Sequence, residues 1–118
     1  MMRRSWDIGL TIGLAIAMAI ATLTPIPNAV PVPGSDKLHH VLAFILLCLP
    51  LAMTRPKRLH WLILGAAIYG GAIELIQPHI GRSGEWADFW ADCIGIAGGV
   101  VLGRLAARFL PYFPPRSK

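Results

Sequence analysis

"LHHVLAFILLCLPLAM", residues 38–53, decides the fold. After the two histidines at its head it carries no charged, amide or hydroxyl side chain. A helix at the surface of a water-soluble protein shows a polar face at a period of about 3.6 residues. This stretch has no face to offer water, so its natural solvent is hydrocarbon. Asp36 and Lys37 stand before it and "RPKR" (55–58) follows it, which bounds a span at about 38–54. Roughly 20 apolar residues are what a helix needs to cross the hydrocarbon core of a bilayer.

Moving outward along the chain, three more apolar runs of similar length appear at about 8–26, 59–77 and 89–110. The 118 residues are 55% hydrophobic and only 14% charged, more apolar than a soluble core of this size requires. The expectation is one all-α domain over 1–118, a four-helix transmembrane bundle without internal repeats or a soluble domain. The short link "TRPKRLH" makes the second and third spans antiparallel neighbours. "PIPNAVPVPGSDK" is too rich in proline for a helix, and Ser35 or Asp36 is placed to cap the second span. Pro78 ends the third near Gln77, and "PYFPPRSK" forms a tail.

The formal charge of +5 invites a nucleic-acid reading, but the basic residues are not gathered on one face. All 11 except Lys37 and Arg82 lie before the first span, between the second and third, or from Arg104 onward. The positive-inside rule then puts both termini in the cytoplasm and the loops at 27–37 and 78–88 outside. Arg104 and Arg108, four residues apart at the inner end of the last span, read as headgroup anchors. Arg3, Arg4 and the triplet Ala19-Ile20-Ala21 also resemble a cleavable signal peptide. The apolar run continues past that triplet to Ile26, so a retained span is expected. Cys48 and Cys93 lie at different depths and are expected to be unpaired thiols.

Against this background the acids stand out. "GRSGEWADFWADCIG" (81–95) brings Asp88 and Asp92 to the head of the last span, four residues apart on one helical stripe that continues through Gly95, Gly99 and Gly103. Small residues along one face mark close helix contact in membranes, which turns Asp92 into the bundle. On the third span Ala66, Gly70, Glu74 and Gln77 form a matching stripe, and on the second His40 heads one with Ala43, Phe44 and Leu47. The first span offers Gly9, Gly13, Ala17 and Ala21, a small-residue face expected to meet the others. At about 1.5 Å per residue, His40, Glu74 and Asp92 reach a similar depth beneath the outer surface. An outward-facing polar cavity is the expected result.

Ionisable groups within a membrane span point to function by default. The plainer alternative is a structural cluster in which Asp92 or Glu74 pairs with Arg82, Lys37 or His40 to tie helices together. Asp36, Lys37, His39, His79, Glu85 and Asp88 sit at span ends, where wet caps and interface anchors are common. His60 and Trp61 fit the inner interface, Trp86 and Trp90 the outer one.

At these residues the chain resembles the VanZ-like family of small bacterial membrane proteins. "SDKLHHVLAF" carries Asp36, Lys37 and His40 in the family's D-K-x-x-H order; "ELIQ" supplies Glu74 and Gln77; "GRSGEWADFWADCIG" supplies Arg82, Asp88, Asp92 and Gly95. His39 duplicates the histidine beside the motif position, and His39 and His40 point about 100° apart on a helix. Register favours His40. The resemblance implies a multi-pass protein of the bacterial cytoplasmic membrane, in a family whose namesake is associated with teicoplanin resistance. It brings no established mechanism.

Two functions follow as expectations. One is an outer-leaflet enzyme acting on a lipid-linked glycan or peptidoglycan precursor, with His40, Glu74 and Asp92 catalytic and Asp36, Lys37, Gln77, Arg82 and Asp88 binding substrate. The other is a non-catalytic protein that recognises a lipid headgroup, a glycopeptide or a partner protein. The expected partners are membrane lipids, not nucleic acid. No cofactor is expected. A metal on His40, Glu74 and Asp92, with His79 as a further ligand, is chemically conceivable, but H-E-x-x-H or another strong ligand spacing is missing.

Overall fold

The computed structural model describes residues 6–23, 35–76 and 86–109. They form four helices: α1 (Trp6–Leu23), α2 (Ser35–Thr54), α3 (Leu59–Ile76) and α4 (Trp86–Phe109), with one 3-10 turn (Pro56–Arg58) leading into α3. All four are long and apolar enough to cross a membrane. The expected spans are present with shifted ends. α4 starts at Trp86, earlier than its apolar run, and takes Asp88 into its first turn, where a carboxylate faces the positive end of the helix dipole. Pro50 lies inside α2 without ending it.

The distribution of side chains inverts that of a soluble protein. Buried positions include Asp7, His40, Thr54, Glu74, Asp88 and Asp92, whereas Ile8, Ile12, Ile16 and Ile20 on α1, Leu38, Leu42 and Leu46 on α2, Ile68 on α3 and Ile94 on α4 are exposed. In water such a surface would drive aggregation. In lipid the apolar surface is at home and the polar groups must be satisfied inside. The fold therefore describes a multi-pass membrane protein. Trp61 lies exposed toward one end of the bundle, and Trp86 and Trp90 toward the other, as in aromatic belts.

The largest interface joins α2 and α4, which run parallel in a fixed register. A Cβ added to Gly95 would lie 2.5 Å from the Val41 carbonyl oxygen, one on Gly99 2.8 Å from that of Ile45, and one on Gly103 3.0 Å from that of Leu49. Each step of four along α4 matches a step of about four along α2. The Gly95, Gly99 and Gly103 face thus packs within the chain, backbone against backbone, where no larger residue fits.

At the end of this seam Arg104 has a role beyond the expected one. Arg104 does not simply reach for headgroups: its Nη1 donates to the carbonyl oxygens of Ala52 at 3.0 Å and Met53 at 3.4 Å. The last carbonyls of α2 lack helical partners and carry the negative end of its dipole, so a guanidinium at this place satisfies both. Arg108 remains exposed.

α3 packs on the seam through Ala66, beside Phe44, Leu47, Cys48 and Ile96. Tyr69 sets its ring 6.1 Å from Phe44 and donates its hydroxyl to the Ala15 carbonyl of α1. The rotation of α1 differs from the expected one. Gly9, Gly13, Ala17 and Ala21 are all exposed, and a Cβ on Gly9 or Gly13 would meet nothing within 4 Å. Leu14, Ala15 and Met18 face the core instead. Asp7 decides this. Its carboxylate is buried against α2, and Gly9, two residues on, points about 200° away.

Candidate functional site

Three helices deliver the site. On α2, His40 stands one turn before Phe44 on the buried stripe, while His39 is exposed. On α3, Glu74 follows Gly70, and on α4, Asp92 follows Asp88 and precedes Gly95 on the face pressed against α2. His40, Glu74 and Asp92 are 9%, 5% and 0% exposed. One ligand-capable atom from each lies within 4.8 Å of the others.

The closest pair is His40 Nδ1 and Asp92 Oδ1, 2.5 Å apart, with Glu74 Oε1 4.0 Å from the same nitrogen. Next to them Lys37 Nζ stands 3.4 Å from Asp88 Oδ1, near enough for charge attraction, although that oxygen lacks a hydrogen-bond partner. The α2–α4 register explains both contacts. His40 with Asp92 and Lys37 with Asp88 continue, one and two turns further, the pairing begun by the glycines.

Glycine also makes room for the second carboxylate oxygen. A Cβ at position 70 would sit 2.8 Å from Asp92 Oδ2 and 3.2 Å from the Phe44 ring. Asp92 Oδ2 is therefore aimed across the seam at α3. It is buried without a hydrogen-bond partner.

The three groups are buried between α2, α3 and α4. Among the described residues the cluster holds three carboxylates against one ammonium and one imidazole. Buried anions need a compensating positive charge, and a proton or a cation can supply it. An imidazole oriented by a carboxylate can accept or donate a proton at its free nitrogen, and the same atoms can ligate a metal.

Of the other expected site residues, Lys37 and Asp88 lie beside the cluster. Gln77 and Arg82, with His79, Glu85 and most of both outer loops, fall outside the described residues, as do the side chains of Ser35 and Asp36, Pro78 and the tail. Cys48 and Cys93 are free thiols.

A further buried acid, away from this cluster, was not anticipated. At the opposite end of the bundle Asp7, 0% exposed, accepts from the Ile8 amide at 2.9 Å, Thr54 Oγ1 at 2.6 Å and Arg55 Nε at 2.9 Å. The signal was present in the sequence: Asp7 directly precedes the first apolar run and Arg55 directly follows the second, at one depth in a four-span topology.

Comparison with protein-family models, with curated proteins and with solved structures finds no match to this chain.

Proposed function

We propose that the chain is a VanZ-like protein of the bacterial cytoplasmic membrane, with both termini cytoplasmic, whose His40–Glu74–Asp92 site faces outward and acts on a lipid-linked component of the cell envelope. One observation carries this reading: three ionisable side chains from three helices meet inside a membrane-embedded bundle with more acid than base. The basic loops at the opposite end support the orientation. The D-K-x-x-H, E-x-x-Q and D-x-x-x-D order of the residues supports the family, and with it a link to glycopeptide resistance.

In this reading Asp92 holds the imidazole of His40 through Nδ1, and His40 and Glu74 share the work of general base and general acid at a phosphate or glycosidic centre. Lys37 and Arg82 bind the anionic part of the headgroup; Asp36, Gln77 and Asp88 complete the substrate site. The burial of all three central groups favours a second reading, recognition without turnover, because a sealed site must open before it reacts. Purified protein in detergent is incubated with lipid-linked pyrophosphate glycans and peptidoglycan precursors. Turnover that disappears in His40→Gln, with the melting temperature retained, is the expected result. Saturable binding without any product would replace the enzyme with the binder.

A further inference from the structure

We propose that His40, Glu74 and Asp92 hold one divalent first-row transition cation, zinc or manganese. The proposal concerns the same three side chains as the reaction above but does not depend on its substrate. Linear spacing could not reveal the site, since each ligand comes from a different helix and only the fold brings them together.

Three observations converge. First, the donor set is one imidazole and two carboxylates with ligand atoms within 4.8 Å of one another. Ligands on a common ion at about 2.0–2.2 Å stand roughly 3–4 Å apart, so modest closure completes the set. His40 Nδ1 and Asp92 Oδ1, at 2.5 Å, must separate by about half an ångström or leave the ion to the other atoms of these groups. Second, the donors suit a dication: two carboxylates carry negative charge to the ion, and an imidazole ligates in its neutral form. Third, Asp92 Oδ2 is buried with no hydrogen-bond partner and is directed at α3 beside Gly70, one turn from Glu74. An oxygen so placed has a lone pair available for an ion between the helices.

The mix of nitrogen and oxygen donors suits zinc or manganese better than copper(I), which prefers sulfur, or calcium, which takes more oxygens. Three protein ligands leave a coordination position open, the arrangement of catalytic sites and not of closed structural ones.

Wild-type protein in detergent is stripped with EDTA, desalted, exposed to Zn²⁺ or separately to Mn²⁺, desalted again and assayed for metal by mass spectrometry. Wild type and His39→Gln are expected to retain about one ion per chain and to gain about 5 °C in melting temperature with metal present. Glu74→Gln and Asp92→Asn are expected to retain almost none. Equal retention in these variants would place the ion elsewhere, and loss of both metals from wild type on desalting would remove the site; either result overturns the proposal. Asp92→Asn weakens a buried contact and can unfold the bundle. In that event Glu74→Gln and the electron paramagnetic resonance of Mn²⁺-loaded wild type decide, with coupling to a single imidazole nitrogen expected and its absence contrary. Turnover is not a readout here, so an ion bound at the site without turnover sinks the reaction and leaves the metal site standing.

Discussion

The two ends of the bundle bury acids in opposite ways. At the end carrying Asp7, one carboxylate meets a main-chain amide, a hydroxyl and a guanidinium, and one positive charge answers one negative. At the end carrying Asp92, three carboxylates gather near one lysine and one histidine among the described residues, and buried oxygens of Asp88 and Asp92 lack hydrogen bonds. The first is a completed lock that fixes how α1 is rotated. The second leaves buried carboxylate oxygens without hydrogen bonds, which in a membrane interior is costly unless something else is bound or a proton is taken up.

Removing the same charge at each end should separate them most clearly. Asp7→Asn leaves the guanidinium of Arg55 facing a neutral amide, and breaking a buried ion pair on one side costs about 3 kcal/mol. Glu74→Gln relieves crowding among carboxylates and should leave stability unchanged or raise it. Thermal unfolding in detergent with a chelator present tests both at once. Equal losses at the two ends would abolish the distinction and make Glu74 another structural tie.

The register that builds the site gives the next effect. Gly95→Ala drives a methyl into the Val41 carbonyl, 2.5 Å away, and backbone cannot yield as a flexible side chain does. A loss of about 2 kcal/mol is expected, with disturbed metal retention because His40 and Asp92 lie just beyond that contact. If chelator-treated Gly95→Ala melts like wild type, the seam is looser than the α2–α4 packing requires.

Both large effects rest on features of unequal visibility in the sequence. The four spans, the inward turn of His40 in preference to His39, and the glycine face of α4 could be read, because apolar length and helical period are local properties. The common depth of His40, Glu74 and Asp92 followed from rise per residue. The rotation of α1 could not be read from Gly9 and Gly13 alone. Small residues permit close contact without demanding it, whereas a charged residue in a span demands a partner, and Asp7 outranks them. The carbonyl contacts of Arg104 were missed for a related reason. The pull of headgroups on an arginine is general, but the free carbonyls of a neighbouring helix end are visible only after packing.

Two smaller effects sharpen the contrast further. Arg104→Met removes hydrogen bonds to the last carbonyls of α2 and should lower stability by about 1 kcal/mol, read as a shift in the same melts. Its effect should vanish in a background already opened by Gly95→Ala. Gly13→Ala, on the exposed face of α1, should change stability by no more than about 0.5 kcal/mol. A large loss there would show that α1 uses its small-residue face against another molecule.

The parallel pairing of α2 with α4 has a consequence for how the protein is made. Chains enter the membrane from the N-terminus as they are synthesised, and the partners of Asp7 lie on the second span, so that lock can close while the later spans are still being translated. α2 must then wait, its seam uncovered, for α3 to thread back and α4 to arrive. Asp92 comes on the final span, so the cluster of His40 and Glu74 is completed only by the last helix, and biogenesis separates in time what the folded bundle separates in depth.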